Sequence, residues 1–299
     1  MRIATTTASE NIVRQIQSIN LQQTRLQAQV ASGLRITQLE DDPAAAGRVL
    51  TLNSERRSID QFTNNANRAL EISQSTFSSL VQIKHISDRA TELGTLGAGT
   101  QSSDQTNAYA SELDQLLEQA VQQANSRLRN DYTFSGTAVD TPPYTVTRDV
   151  TTNKITGVVF AGNANLIQIP LSDTASVAPG ADSSTTTGIT DFLNGLVAMR
   201  DALAAGDNTA VTTAQTGLIA TEDVFVASLA HQGAIQMRIE LNKSQQQDRS
   251  QNLQQLISSE VDADLPTTIV RLNQAQIAYQ ASLQSSANIM RISLLDYIQ

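Results

Sequence analysis

Both ends of this 299-residue chain carry a narrow apolar stripe whose members recur at intervals of three and four residues. This spacing places the side chains on one face of a helix, as in a coiled coil. A single helix of this kind is only marginally stable alone, so each stripe needs a partner helix or a neighbouring subunit. The predicted interface residues are Ile12, Ile16, Ile19, Gln23, Leu26 and Val30 at one end, and Leu265, Ile269, Leu272, Gln276, Tyr279, Leu283 and Met290 at the other.

The segments next to the stripes also have helical periodicity. Gly33 is expected to end the first helix, and Asp42 is expected to cap the second, with Pro43 in its first turn. Asp264 is expected to cap the last helix in the same way. Helices are predicted over residues 12–32, 42–93, 108–129, 191–203, 209–259 and 265–290, with a Gly-rich loop over residues 94–103.

The middle of the chain differs in character from both ends. Residues 132–187 are rich in Thr, Val, Gly, Asp and Pro, and short alternating runs at 144–146 and 157–160 predict strands. Residues 176–187 have few apolar side chains and are predicted to form a mobile outer loop whose removal is tolerated. The middle is therefore expected to be a small β insert.

The predicted fold is mainly α, with both chain ends forming a long antiparallel helical bundle and the β insert facing outward. Opposite charge favours this pairing, because residues 1–39 hold four arginines against one glutamate, whereas residues 260–299 hold four carboxylates against two arginines. The predicted domains are residues 1–45 with 260–299, residues 46–131 with 190–259, and residues 132–189.

Composition excludes several classes of function. The net charge of −9 argues against a nucleic-acid partner, and the absence of cysteine excludes disulfides and thiolate metal sites. No apolar run approaches the roughly 18–20 residues that span a bilayer, so no membrane partner is expected. Residues 1–11 lack the apolar core of a cleaved signal peptide, so any export is expected to use another route.

The sequence shows no catalytic, cofactor-binding or metal-binding constellation. His85 and His231 have no His or carboxylate four residues on, and the acidic run at residues 40–42 is explained as a helix start. The Gly-rich loop has no lysine after it and matches neither a phosphate loop nor a dinucleotide fingerprint. The chain is therefore predicted not to be an enzyme and to need no cofactor or metal.

Two motifs resemble the bacterial flagellin family. Residues 31–47, ASGLRITQLEDDPAAAG, resemble the family's N-terminal signature, and residues 260–264, EVDAD, resemble the acidic turn before its last helix. The resemblance covers about residues 1–135 and 190–299. Within the family, NDYTFSG at residues 130–136 and SLLDYI at residues 293–298 resemble the hook-associated proteins that join the hook to the filament.

The resemblance implies a structural role in bacterial motility. It implies export through the flagellar secretion apparatus with a chaperone, assembly with copies of itself as a ring or layer, and contact with an adjacent hook-associated protein and with flagellin. The terminal helices would line the inner tube. Two alternatives remain open: a minor or short filament flagellin, and, more distantly, a secreted coiled-coil binding module resembling an adhesin.

Overall fold

The computed structural model of the protein describes the backbone of residues 2–99 and 102–298, and the side chains of residues 10–99 and 102–288. Long helices dominate these residues, and the strands form two-stranded antiparallel hairpins. The elements in chain order are α1 (Arg2–Ser32), α2 (Pro43–Gly97), α3 (Ser103–Ala124), β1 (Arg127–Leu128), β2 (Asp131–Tyr132), β3 (Tyr144–Arg148), β4 (Ile155–Phe160), β5 (Ile169–Pro170), β6 (Ser176–Val177), α4 (Ser183–Ala205), α5 (Asn208–Val261) and α6 (Leu265–Ile298).

This architecture confirms the predicted fold class, which is mainly α with a small β insert. The chain forms two compact units, Met1–Ser58 with Arg249–Gln299, and Ile59–Asp248. The first unit contains α1 and α6, which pack along each other, and the second contains α3, α4 and the hairpins. The division into three domains stays a prediction.

Local side-chain chemistry sets several helix boundaries. Gly33 adopts a φ of +73° after the last residue of α1, a conformation that glycine reaches without strain. The Asp42 carboxylate accepts a hydrogen bond of 3.0 Å from the amide of Ala45, so it caps α2 as predicted. Asp182 caps α4 in the same way, accepting a bond of 2.8 Å from the amide of Thr185.

The second unit has a continuous apolar core formed by α2, α3, α4, α5 and the first two hairpin regions. Phe192 of α4 and Phe225 of α5 meet edge to face, with ring centroids 5.3 Å apart and an interplanar angle of 84°. Phe134 and Tyr144 join the hairpins to this core, since both side chains are buried. The β insert is therefore anchored to the helices rather than tethered by flexible linkers.

The loop predicted over residues 94–103 is shorter than expected, because α2 continues to Gly97. A Cβ atom added to Gly94 would lie 2.6 Å from Cε of Met199, and one added to Gly97 would lie 2.2 Å from Cδ2 of Leu203. Both glycines let α4 approach α2 closely, and Gly94 does not end the helix. The third helix also differs, running over Ser103–Ala124 rather than over residues 108–129.

The mobile loop predicted at residues 176–187 is wrong. The segment contains β6 and the first turns of α4, and Val177, Thr185 and Thr186 are buried. The hydroxyl groups of the two threonines have partners inside the fold: Thr185 Oγ1 lies 2.8 Å from Oγ of Ser228, and Thr186 Oγ1 donates to the carbonyl oxygen of Ser183 at 3.2 Å. A low apolar content did not prevent burial here because the polar side chains are hydrogen-bonded.

Candidate assembly surface

The N-terminal stripe lies on the face of α1 that is shielded from solvent. Leu26 is buried, and the other five predicted positions, Ile12, Ile16, Ile19, Gln23 and Val30, are half-buried. Within the first unit α1 packs along α6, so this face is covered by the other end of the chain. The prediction that the two chain ends pack together is therefore confirmed for the residues of α1.

The residues of the C-terminal stripe do not all lie on the same face of α6. Leu272, Gln276 and Tyr279 are half-buried as an inward face requires, but Leu265, Ile269 and Leu283 are exposed. The residues on the shielded face of α6 also include smaller side chains that the sequence analysis missed, namely Thr268, Ala275, Ser282 and Ser286. Met290 lies outside the residues whose side chains the structure describes.

Two interleaved registers of the same spacing explain this difference. The shielded face has intervals of four and three residues from Thr268 through Ala275 to Ser286, whereas Ile269 and Leu283 each lie one position beyond a member of that face. Small residues facing a partner helix permit close approach of the two backbones. The larger residues are then left on the outside, which hydrophobicity alone does not reveal.

The outer side of α6 therefore has a strong apolar character. Its exposed large side chains are Leu265, Ile269, Val270, Ile277 and Leu283, of which Ile277 is 67% exposed. No described residue of this chain covers them. Leu265, Ile269 and Leu283 share one side of the helix, and Val270 and Ile277 share another. Groups of exposed apolar side chains along a helix are typical of sites of protein–protein contact. That all residues of the two stripes act in assembly stays a prediction. The outer face of α6 is the part of them that is available for contact with another subunit.

A second exposed apolar face lies on α5, within the second unit. Ile219, Val226, Met237 and Leu241 are each about half or more exposed, and their separations of 7, 11 and 4 residues place them on one side of the helix. Ala230 lies on the same side and is exposed too. The second unit thus also presents a helix face that the described part of the chain leaves uncovered.

The two motif turns of the flagellin resemblance are in contact. The amide of Arg35 donates to the carbonyl oxygen of Val261 at 2.6 Å, and the amide of Ala263 donates to that of Gly33 at 2.8 Å. These bonds hold the end of α1 next to the start of α6, so the two helices run antiparallel. We call these two turns, residues 31–47 and 260–264, the terminal joint.

Arginine–carboxylate contacts reinforce the terminal joint and its flank. Arg48 pairs with Glu260 through two bonds, Nε to Oε1 at 3.0 Å and Nη2 to Oε2 at 2.8 Å. Arg35 donates from Nη2 to the Glu260 carbonyl oxygen at 2.7 Å and pairs with Asp42 at 3.3 Å. Bidentate pairs fix geometry as well as adding energy. The arginine and aspartate of the signature therefore have a positioning role.

The same contacts shift the carboxyl groups of the joint. Hydrogen bonds from the backbone amides of Thr37 and the next residue hold the pKa of Asp41 below its ordinary value. The Ala45 amide does the same for the pKa of Asp42, and the guanidinium partner of Glu260 lowers the pKa of that carboxyl. Asp42 therefore caps α2 as predicted, and Asp41 holds the turn before it.

The element at residues 130–136 forms the turn where the helices give way to the insert. Phe134 and Ser135 are buried, and Gly136 has a φ of +68°. A Cβ atom at Gly136 would lie 2.2 Å from the carbonyl oxygen of Asn163. The amide of Thr137 also donates to Oδ1 of Asn163 at 3.1 Å. Glycine is required there, and the segment locks the start of the insert to the loop after β4.

Groups that could support chemistry are dispersed in the described residues. His85 and His231 are exposed on α2 and α5. Within the part of the chain that the structure describes, no three His, Asp or Glu side chains are arranged to hold a metal ion. No helix in those residues is long and apolar enough to cross a membrane.

Comparison with known proteins gives matches to flagellar proteins. Residues 3–138 match the family model described as the bacterial flagellin N-terminal helical region. A flagellin from Halalkalibacterium halodurans is 26% identical over 274 residues, which cover 88% of this chain and 87% of that protein. The resemblance to the bacterial flagellin family is thereby confirmed.

Solved structures of flagellar proteins share the fold. A protein from Vibrio parahaemolyticus, described as flagellar hook-associated, aligns with a TM-score of 0.66 at 15% identity, covering 74% of this chain and all of that one. Bacillus cereus FlgL aligns with a TM-score of 0.59 at 19% identity, covering 70% of this chain and 99% of that one. The chain is therefore similar to the flagellin N-terminal helical region over residues 3–138, and it shares its fold with solved flagellar proteins.

Proposed function

We propose that this protein joins the flagellar hook to the filament and serves as the template on which flagellin assembles. The observation that carries the proposal is the pairing of α1 with α6 through the terminal joint, which leaves the large apolar side chains of α6 facing outward. A subunit built in this way needs neighbouring subunits to cover that face.

The hook-associated role is supported by two further features. The element at residues 130–136 resembles the hook-associated branch of the family, and in this fold it anchors the insert through the buried Phe134. The structural neighbours from Vibrio parahaemolyticus and Bacillus cereus carry the names of a hook-associated protein and of FlgL. Together they favour the junction over the body of the filament.

The proposal includes a set of partners and a location. Copies of the chain form a ring or layer outside the cell, between an adjacent hook-associated protein and flagellin. The chain reaches that position through the flagellar secretion apparatus, with an export chaperone. The terminal helices form the inner-tube contacts, with Ile269 and Leu283 among the residues that meet neighbouring subunits.

A minor or short filament flagellin remains the second candidate. It is favoured by the 26% identity to the Halalkalibacterium halodurans flagellin, which this chain covers over 87% of its length. Both candidates share a helical packing core, so the fold alone gives them equal support. They differ in what the cell loses when the protein is absent.

Deletion of the gene in its own bacterium separates the two candidates. A junction protein supplies the surface on which the first flagellin subunits dock, and nucleation elsewhere is unfavourable because each subunit orders its ends while forming only part of its contacts. We expect hooks without filaments, and abundant monomeric flagellin in the medium. Normal-length filaments on the hooks of the deletion strain would exclude the junction role and support the flagellin alternative.

A further inference from the structure

A cavity of about 330 Å3 lies in the second unit, between α2 and the β insert. Its walls are mostly apolar, and they include Ile72, Leu128, Val139, Leu166 and Ile169. One buried polar atom on its lining, Oγ1 of Thr133, has no hydrogen-bond partner among the described residues. Cavities of roughly 300–1,000 Å3 with such walls are typical of binding sites.

The rim of the cavity carries charges of both signs. Arg129 is engaged, since its guanidinium pairs with Glu71 at 2.8 Å. Arg68 and Asp131 also line the cavity and are exposed, and neither forms an ion pair with any side chain that the structure describes. The rim therefore offers one cation and one anion to an incoming segment.

An exposed apolar tip lies elsewhere on the same insert, at the turn between β3 and β4. Val150 is fully exposed at this tip. The turn is rigid, because Oδ1 of Asp149 accepts hydrogen bonds of 2.9 Å from the amide of Thr151 and 2.7 Å from that of Thr152. Because its side chain stays in water, this valine adds no buried apolar surface to the stability of the isolated chain.

We propose that the hairpin tip of one copy inserts Val150 into this cavity of the next copy. The cavity is large enough for a branched side chain with its adjoining backbone, and its walls match the valine in polarity. Asp149 on the tip would face Arg68 on the rim, and Lys154 at the end of the same turn would face Asp131. Val150 does not fill the cavity of its own chain, because it is fully exposed there.

This contact is heterologous, since the tip and the cavity are different surfaces of the molecule. Repeating such a contact gives a ring or a helical layer rather than a closed pair. The inference rests on the proposed self-assembly and assigns to the insert a lateral contact between copies. The insert would then fix the spacing of the layer, in addition to the contacts made by the terminal helices.

Cysteine trapping tests the contact directly, because the natural chain has no cysteine. The test variant carries Val150→Cys and Ile167→Cys, the latter at an exposed position on the cavity lining. The matched control carries Val159→Cys and Ile167→Cys, because Val159 is also exposed but pairs with Thr145 away from the tip. Isolated flagella bearing each variant are oxidised, and the products are separated under non-reducing conditions.

We expect a ladder of cross-linked subunits from the test variant and monomer from the control. The proposed contact would be overturned by any of three results. These are labelling of both thiols without a ladder, equal ladders from the two variants, and a fast-migrating monomer bridged within one chain. If the test variant does not enter flagella, oxidation of the purified protein over a concentration series decides, and no ladder at any concentration refutes the contact. Filaments on the hooks of cells carrying the test variant, without a ladder, would refute this contact and leave the proposed junction role intact.

Discussion

Replacing Asp114 by asparagine removes one of the two carboxylates that hold a buried arginine in the second unit. The Arg200 side chain is only 4% exposed, and its Nη1 donates to Oδ1 of Asp114 at 2.8 Å. Its Nε donates to Oδ1 of Asp201, also at 2.8 Å. The pair with Asp114 joins α4 to α3, so the substitution weakens a contact inside the helical core rather than one on the surface.

The size of the effect follows from the burial of the partners. Removing one partner of a fully buried pair costs about 3–5 kcal/mol, because the other charge stays buried without compensation. Here Asp201 remains, and the Asp114 side chain is 27% exposed, so water reaches the site. We therefore expect a loss of about 2 kcal/mol in the free energy of unfolding, which lowers the midpoint of thermal unfolding by roughly 4–8 °C.

The assay is thermal unfolding of the full chain, followed by circular dichroism and calorimetry. Glu118→Gln is the matched control, because Glu118 pairs with Arg148 on the surface. The side chains of Arg148 and Glu118 are 34% and 47% exposed. Exposed pairs contribute about 0–1 kcal/mol, so the control should shift the midpoint little. A shift for Asp114→Asn no larger than that of the control would refute the reasoning.

Three further predictions concern turns and segments. Gly136→Ala should destabilise the protein by about 1–3 kcal/mol in urea denaturation, because of its positive φ, whereas Gly157→Ala, with open space around it, should not. Deleting residues 176–187 should abolish cooperative unfolding in calorimetry, since the segment contributes buried residues and caps α4; an unchanged transition would contradict this. The folded-state pKa values of Asp42 and Glu260 lie below the ordinary 3.8 and 4.5, so their stabilisation is present above those values and is lost as pH falls through the lowered ones. Amide chemical shifts of the terminal joint should report this loss only in that acidic range.

The sequence was sufficient to predict the number and order of the helices in the described residues, though not all of their bounds, and one side of the terminal pairing. Apart from Val13 and Leu21, the residues around the stripe from Ile12 to Val30 are mostly polar, so one register buries far more apolar side chains than any other. The roles of Gly33 and Asp42 at the helix ends were equally predictable. A positive φ and a helix cap depend only on the residue itself and its immediate neighbours. Local chemistry of this kind is visible without the fold.

The inward face of α6 was not predictable in the same way. Two registers with the same spacing overlap there, and hydrophobicity favoured the one with Ile269 and Leu283. The packing favours Thr268 and Ala275, because α1 comes close to this face. Which register is used depends on the partner helix, and that information is absent from the residues of α6 alone.

Burial of polar segments was missed for a related reason. The Thr-rich start of α4 has the composition of a loop, yet Thr185 is buried because Asp182 and Ser228 accept or share its hydrogen bonds. The second of these partners comes from α5, far along the chain. Gly94 and Gly97 likewise appeared to break a helix, whereas their role is to admit side chains of α4. Both features are set by contacts distant in sequence.

The position of the protein on intact flagella tests the account most directly. Immunogold labelling with an antibody against the purified chain should place gold in one thin band beside the hook, at the base of the filament. Label along the whole filament would contradict the junction role and identify the chain as a filament flagellin. Label on the cell surface with none on flagella would contradict the flagellar assignment itself.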